Sequence, residues 1–312
     1  MTDKDEPLIS GSRASTPSAG PRALLTKVEW LAKREARRER QREQNLIRSA
    51  KMHAARIAFD ASNTPDLKRS LSEHYVGCSG WFYWHWRGRF YPEDAKTSEW
   101  FSPYTKQFST VELNAPFYAW PTIGTVQTWR KQIGRRRFVY TVKASELITH
   151  VRRFSRTAEL VKDFGLIADL LGPAMGCFLF QLPPSFTYSR ARLKRIVDQL
   201  DPRHRNVVEF RHKSWWNDTV YAAFEKKGII FCSCSGPRLP DKLVKTAEDV
   251  YIRFHGTKQW YRHDYSRDEL KQWVQRVRDA KPFRVWAYFN NDREGYAIKN
   301  ARAFLRLLRK PS

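Results

Sequence analysis

Two glutamates in this sequence lie within short apolar runs, where a charged side chain is unexpected. Glu112 stands in TVEL and Glu209 in VVEF, and Asn114 and Arg211 each follow two residues later. Residues spaced i,i+2 on a strand project from one face, so each glutamate shares its face with a polar neighbour. Burying an unpaired carboxylate costs several kcal/mol, so both must be paired or coordinated. The pattern indicates either a salt-bridge network or a site for acid–base chemistry, and the sequence leaves both open.

Two histidines and one aspartate complete the set of candidate catalytic residues. His150 and His255 follow two other apolar runs, and Asp292 follows the last one. Such a histidine can act as a general base or can be a hydrogen-bonded structural residue. With Glu112, Glu209 and Asp292, the histidines can also form an oxygen-and-imidazole metal site. No H-x-H or H-E-x-x-H spacing supports that alternative, so we assign no metal, and no cofactor is firmly implied.

A second group of side chains has the chemistry needed to bind a substrate. Lys143 is a candidate Schiff-base or phosphate-binding amine, although pairing with Glu112 or Glu209 is an equally good interpretation. Arg211 and Arg253 can hold an anion together with it. The aromatic residues can stack on a base or sugar, or simply pack long loops together. The predicted substrate-binding residues are Trp81, Trp86, Tyr91, Asn114, Tyr118, Lys143, Gln181, Arg211, Trp215, Arg253, Asn290 and Asn291.

The elements that must position these residues alternate between strand and helix. Runs rich in β-branched and aromatic residues predict eight strands, at 75–78, 110–113, 138–142, 177–180, 207–210, 229–232, 250–254 and 284–289. The clearest helical stretches between them are 158–171, 190–200, 215–227, 267–280 and 296–308, while 235–240 looks irregular.

This alternation predicts an α/β fold with a parallel sheet. Eight units suit a closed (β/α)8 TIM-type barrel, and no Gly-rich phosphate fingerprint follows the first strand to favour a doubly wound sheet. In a barrel the C-terminal strand ends converge on one mouth, so the polar residues that follow the strands are expected to meet there.

The chain before the barrel differs in character. Residues 1–22 are rich in Ser, Thr, Pro and Gly and predict a disordered tail. Residues 23–72 predict a basic helical arm followed by a linker, because 33–43 holds strong helix formers without Gly or Pro. The polar middle of this helix predicts an exposed arm, which is either a solvated charged helix or a nucleic-acid-binding element. The barrel domain is then expected over 73–312.

The net charge bears on which partners the protein could bind, and the cysteines and the N-terminus bear on its location in the cell. The chain has 57 Lys and Arg against 32 Asp and Glu, a net charge of +25, which attracts nucleic acid or anionic metabolites, or only makes a basic surface. Cys232 and Cys234 are expected to share one strand face as reduced core residues. The N-terminus has no apolar signal-peptide stretch, and no run is long enough to span a membrane. We therefore expect a cytoplasmic protein without a membrane partner.

Taken together and in order, several motifs resemble the YecE-like proteins, a family catalogued as domain of unknown function 72. The resemblance extends over about residues 74–310 and implies a (β/α) barrel, but it implies no settled reaction. Residues 1–72 lie outside the family pattern. The matching stretches are 77–81, Trp86 with Gly88, 90–92, 110–114 with 117–118, Lys143 with 148–150, 181–184, 209–212 with 214–215, 253–256 and 288–292.

Three functions remain in competition. The first is an enzyme of the hydrolase or lyase class. In this hypothesis Lys143, Arg211 and Arg253 hold a small anionic or phosphorylated substrate. A glutamate then transfers a proton at the barrel mouth and a histidine assists. The second is a protein that binds or processes nucleic acid with the basic arm and the aromatic-lined mouth. The third is a ligand-binding barrel without catalysis, and the fold alone does not decide among them.

Overall fold

The computed structural model describes residues 27–59 and 73–310. The predicted tail at 1–22 and most of the predicted linker lie outside this part of the chain. Eight parallel strands form one sheet in the order β1-β8-β7-β6-β5-β4-β3-β2, so the predicted TIM-type α/β barrel is confirmed. The strands are β1 (His74–Cys78), β2 (Thr110–Leu113), β3 (Val139–Lys143), β4 (Met175–Leu182), β5 (Asn206–Phe210), β6 (Ile230–Ser235), β7 (Asp249–Phe254) and β8 (Arg284–Phe289).

Helices connect most of the strands. They are α1 (Lys27–Ile57), α2 (Phe101–Gln107), α3 (Ala115–Tyr118), α4 (Ile123–Ile133), α5 (Ala158–Leu171), α6 (Arg190–Gln199), α7 (Asp218–Glu225), α8 (Arg267–Ala280) and α9 (Tyr296–Arg309). The connection from β6 to β7 contains no helix, as its Gly- and Pro-containing sequence predicts. None of the helices in the described ranges has the length and apolar character needed to cross a membrane.

Local capping explains where several helices begin. Ser266 and Glu269 form a reciprocal capping box at the start of α8, which begins and ends where the sequence predicts. By contrast, the helix predicted over 215–227 begins later, at Asp218. The Asn217 side chain accepts a hydrogen bond from the Val220 N–H and so caps α7. The segment Lys213–Trp215 instead forms a separate 3₁₀ turn at the end of β5.

Alternating strand residues build two apolar layers. In β8, Trp286 and Tyr288 point into the barrel, whereas Val285, Ala287 and Phe289 pack outward against the helices. Both faces of the strands are therefore buried, which is why their sequences are almost continuously apolar. Polar side chains inside such strands are the exception, and those near the C-terminal ends include Glu112, Glu209 and Arg253.

The seam between β1 and β2 is closed by a tyrosine instead of a ladder of backbone hydrogen bonds. The Tyr104 hydroxyl accepts a hydrogen bond from the Cys78 N–H at 2.9 Å and donates one to the Thr110 carbonyl at 3.0 Å. Gly77 allows the two strands to approach, since a Cβ at this position would collide with the Thr110 carbonyl oxygen. One buried hydroxyl thus satisfies a donor and an acceptor that the open seam leaves unpaired.

Replacing Tyr104 with phenylalanine is expected to lower the free energy of unfolding by about 1–3 kcal/mol, because it leaves buried backbone groups unsatisfied. Urea denaturation would measure the change. Tyr188→Phe is a suitable control, since the Tyr188 hydroxyl makes no hydrogen bond within the described residues. Equal stability of the two variants would show that the seam does not depend on the Tyr104 hydroxyl.

Helix α1 contacts the barrel through its second half. Asn45 is buried, donates to the Tyr118 carbonyl and accepts from the Trp120 N–H, at 2.9 Å each. Further along, the Arg56 guanidinium pairs with the buried carboxylate of Asp163 on α5 at 2.7 Å. Residues 28–33 and 35–40 are exposed. The arm is therefore not exposed throughout: a docking face that combines these polar contacts with the buried Met52 anchors its second half.

Candidate active site

An ion network joins three strands at the mouth of the barrel. The Arg253 guanidinium on β7 donates to Glu209 on β5 at 2.6 Å and to Glu112 on β2 at 2.5 Å. All three side chains are almost completely buried. The Tyr251 hydroxyl donates to the other oxygen of Glu112 at 2.6 Å. Each predicted buried glutamate therefore has the partner that burial requires, and Arg253 links them across the barrel.

Arg211 extends this network toward the opening. Its Nε donates to Glu209, and its Nη2 lies 3.1 Å from Nε2 of His255. The guanidinium also stacks over the Trp260 ring, 4.4 Å from the ring centre. Within the described residues its Nη1 has no acceptor. Arg211 is thus held in place by three neighbours while one of its nitrogens stays available to a ligand.

The charges around Glu209 and His255 set their protonation. Burial alone would raise the pKa of Glu209, but the Arg211 and Arg253 guanidiniums outweigh it and hold that pKa well below its usual range. Burial and the same two cations lower the pKa of His255 well below its usual range. Nε2 of His255 faces the Arg211 guanidinium, and its Nδ1 lies 3.3 Å from the Asn290 amide nitrogen. At neutral pH Glu209 is a carboxylate and His255 is a neutral imidazole.

Lys143 ends β3 beside this network but is not part of it. Its ammonium lies 3.8 Å from the centre of the Phe117 ring, and only 8% of the residue is exposed. In the described ranges no carboxylate, hydroxyl or carbonyl accepts a hydrogen bond from it. Burial, followed by the nearby charge of Arg253, lowers the pKa of Lys143 to about 7. The expected pairing with Glu112 or Glu209 is therefore not what the structure shows.

His150 lies on the same aromatic ring as Lys143. It belongs to a short π-helical segment, Leu147–Val151, of a kind that is frequent at functional sites. Its ring meets the Phe117 ring edge to face, with centroids 4.8 Å apart, and its Nδ1 lies 3.0 Å from the Thr149 hydroxyl. Burial, and then the positive charge of Lys143, lowers the pKa of His150 to about 3. His150 is therefore a neutral imidazole beside the lysine.

Asp292 and Asn291 lie apart from the network. The Asp292 carboxylate accepts from the Trp86 indole at 2.8 Å and pairs with His85 at 2.7 Å. The Asn291 amide donates to the His263 carbonyl and to the Asn300 side chain. These contacts hold loops together, because residues after a strand can turn outward as readily as inward. The structure does not bring Asp292, Asn291 or Trp86 to the ion network.

The aromatic candidates are also engaged in packing. The Tyr91 hydroxyl donates to the Trp81 carbonyl at 2.5 Å, and Trp81 itself packs on Phe101. Trp215 is completely buried and stacks on Phe210 with ring centroids 4.1 Å apart. These contacts match the alternative interpretation of the aromatic residues, which is the packing of long loops.

Three further candidates border the mouth. The Asn114 amide donates to the Ser79 carbonyl at 3.1 Å, which ties the end of β2 to the end of β1. The buried Gln181 amide donates to the Leu182 carbonyl at 3.1 Å, and Tyr118 is exposed. Sequence reasoning missed Phe117 and Trp260, the rings under Lys143 and Arg211. Phe117 lies in a motif already noted, whereas no pattern singles out Trp260 in its loop.

Two clusters within the described chain bring three potential metal ligands together. One consists of Glu209, Cys232 and Cys234, and the other lies between α1 and α5. Neither cluster contains His150, His255 or Asp292. The metal site that the sequence offered as an alternative, with carboxylate and imidazole ligands, is therefore not formed among the described residues. In both clusters arginines already pair with the carboxylates, which opposes binding of a cation. Cys232 and Cys234 do share a strand face, as predicted, with sulfurs 3.7 Å apart.

Sequence relatives of this chain occur in two bacteria. The UPF0759 protein YunF of Bacillus subtilis is 26% identical over 270 residues, which cover 75% of this chain and 94% of that protein. The UPF0759 protein YecE of Escherichia coli K12 is 24% identical over 200 residues, covering 56% of this chain and 72% of that one. These similarities agree with the YecE-like resemblance.

Solved structures and a family model agree with this relationship. A crystal structure of a DUF72 family protein from Thermotoga maritima has a TM-score of 0.69 at 29% identity, covering 77% of this chain and 100% of that chain. A DUF72 family protein from Enterococcus faecalis has a TM-score of 0.65 at 17% identity, covering 77% and 96%, and supports the fold alone. Residues 75–312 match the family model described as "Protein of unknown function DUF72", and the chain therefore belongs to the DUF72 family.

Proposed function

We propose that this protein is an enzyme that binds a small anionic substrate at the barrel mouth and acts on it by acid–base chemistry. One observation carries the proposal: Lys143 is a buried amine at a strand end, with no acceptor in the described chain, next to a charge-balanced ion network. Barrel enzymes place their chemistry at this end of the strands. The fold supports a site at the C-terminal strand ends, and the buried amine of Lys143 supports chemistry at that site.

The charge balance of the mouth favours an anionic ligand. The carboxylates of Glu112 and Glu209 are matched by the guanidiniums of Arg253 and Arg211. A protonated Lys143 is then a surplus positive charge without a counterion, and burying such a charge is costly. An anion that contacts the Lys143 ammonium and the available Nη1 of Arg211 would supply that counterion through charge-assisted hydrogen bonds.

The proposed roles differ from those first expected for the glutamates. Glu209 is held as a carboxylate by two guanidiniums and so is a poor proton carrier at neutral pH. Lys143, with a pKa of about 7, is the better acid–base group, because such a group works best when its pKa lies near the ambient pH. We propose that Glu112 and Glu209 position the arginines, whereas Lys143 exchanges the proton.

The proposed setting is the cytoplasm. All four cysteines are buried and none forms a disulfide in the described chain. Unpaired thiols are typical of proteins from reducing compartments. This supports a cytoplasmic location for the enzyme, as the sequence led us to expect.

Anion binding can be tested with inorganic phosphate and a panel of phosphorylated and carboxylated metabolites, using titration calorimetry. Lys143→Gln is expected to weaken binding at least about tenfold, since a hydrogen bond from a charged donor is lost. Wild-type affinity should fall as the pH rises through about 7, because Lys143 then loses its proton.

The matched control is Lys213→Gln, which removes an equal charge from an exposed lysine just after β5. Its affinity should stay close to that of the wild-type protein. If both lysine variants bind the anions as tightly as the wild-type protein does, or if no anion binds, the mouth is not an anion site and the proposed function is wrong.

A further inference from the structure

We propose that the Lys143 amine is the nucleophile of the reaction and forms an imine with an aldehyde or ketone that carries an anionic group. This inference rests on the proposed function and names the class of its substrate: once the Lys143 amine has released its proton, it attacks the substrate carbonyl. It would place the protein among enzymes that make or break a bond next to a carbonyl group. The argument begins with why Lys143 is not paired.

The two carboxylates near Lys143 have no oxygen left without a donor. In Glu112, one oxygen accepts from Arg253 and the other from the Tyr251 hydroxyl. In Glu209, one oxygen accepts from Arg253 and the other from Arg211. A lysine retained for structure would be expected to take one of these oxygens, because buried charges are normally paired. The network instead gives every carboxylate oxygen a donor without using the amine, which lies near two cations.

The surroundings of the amine favour its neutral form, which is the nucleophilic form. The Lys143 nitrogen lies over the Phe117 ring but has no hydrogen-bond acceptor in the described residues to stabilise a positive charge. Burial, and then the charges of Arg253 and Arg211, lower its pKa, and the opposing effects of Glu209 and Glu112 do not cancel this. Lysines activated as nucleophiles are typically desolvated or placed beside another cation, and Lys143 is both.

The bond changes balance without any further reagent. The nitrogen lone pair of Lys143 attacks the carbonyl carbon, the C=O π electrons move to oxygen, and a proton moves from nitrogen to oxygen to give a carbinolamine. Uptake of one proton from solvent and departure of the hydroxyl as water then give the protonated imine. The overall change is amine plus carbonyl plus one proton to iminium plus water.

The same mouth offers a place for the anionic group of the substrate. Nη1 of Arg211 is available, and this guanidinium is fixed by Glu209, His255 and the Trp260 ring. A fixed cation can orient a bound carbonyl compound toward the amine and so raise its effective concentration. An uncharged aldehyde lacks this contact and should react with Lys143 more slowly.

Reductive trapping tests the proposal on the full-length protein. Glyoxylate, pyruvate and glyceraldehyde 3-phosphate are each added with sodium cyanoborohydride, whose hydride reduces an imine to a stable secondary amine. Intact mass spectrometry and peptide mapping then locate the adduct. We expect one adduct per chain, at Lys143, with at least one of these probes, and at least about tenfold less labelling of this residue by uncharged propionaldehyde.

Variants and competition separate the possible outcomes. Lys143→Gln should lose the specific adduct, and Lys213→Gln should keep it; mapping of the wild-type protein gives the site even if Lys143→Gln does not fold. Excess inorganic phosphate should suppress the adduct. If phosphate binds in a Lys143-dependent manner but labelling of Lys143 does not exceed that of exposed lysines, the imine is overturned and the anion site stands. If phosphate does not bind and Lys143 is not labelled, both proposals fall.

Discussion

Replacing Glu209 with glutamine is expected to lower the free energy of unfolding by about 3–5 kcal/mol, the usual cost of removing one partner from a buried ion pair. Glu209 accepts from both Arg211 and Arg253 and is completely buried. A neutral amide in its place would leave two buried guanidiniums with only one carboxylate, that of Glu112, nearby. Loss of the Arg211 contact should also release the side chain that we propose holds the substrate anion.

Urea denaturation at neutral pH would measure this loss. Glu294→Gln removes an exposed carboxylate that pairs with Arg89, and it should change the stability by no more than about 1 kcal/mol. Similar losses in both variants would mean that the buried network contributes no more than a surface ion pair, and would contradict the prediction.

Lowering the pH should reduce the difference in the free energy of unfolding between the wild-type protein and Glu209→Gln. The pKa of Glu209 is lower in the folded chain than its ordinary value of 4.5. Its carboxylate therefore contributes stability that is fully present above about pH 4.5 and is lost as the pH falls through the lower, folded value. A difference in stability that stays constant from neutral pH to well below that window would argue against a charged Glu209.

Replacing Lys143 with methionine is expected to stabilise the protein at pH 6, by up to about 5 kcal/mol. The pKa of Lys143 falls from its ordinary value of 10.5 to about 7 in the folded chain. The fold therefore disfavours the charged amine, and methionine removes this penalty at similar volume. A residue that destabilises its own fold is typical of a functional site, where stability is given up for activity.

The difference in stability between the wild-type protein and Lys143→Met should depend on pH. Between about pH 7 and pH 10.5 the unfolded chain keeps the Lys143 proton that the folded chain has released. The wild-type protein should therefore become more stable relative to Lys143→Met as the pH rises through this range. Paired urea titrations across the range would test this, with Lys213→Met as an exposed control expected to show no such slope. A parallel pH dependence in all three proteins would show that Lys143 has an ordinary pKa.

Local sequence patterns were enough to predict the barrel. Each predicted strand overlaps an observed one, and α5 and α8 coincide with their predicted ranges. Strands and helices of this kind are set by residues close in sequence, through the periodicity of apolar positions and through caps such as Ser266. The order of alternation then leaves few topologies to choose from, because parallel strands need long crossover connections, which are usually helices.

The candidate site was only partly predictable. The i,i+2 spacing correctly placed Glu209 and Arg211 on one face, and they form an ion pair. The partner shared by both glutamates is Arg253, which lies 141 residues from Glu112 and 44 from Glu209 along the chain. No local pattern encodes such a pairing, because it exists only after the barrel closes.

By itself the sequence determined the barrel, the polar strand ends and the need of two buried glutamates for partners, since these follow from short-range periodicity and from the cost of burying charge. Only the tertiary structure decided which residues meet. It turned Asp292 toward Trp86, docked half of α1 on the barrel, and satisfied the glutamates without Lys143. The physical reason is that strand closure sets the distances between remote side chains, and these distances decide which charges are paired and which amine has no acceptor in the described chain.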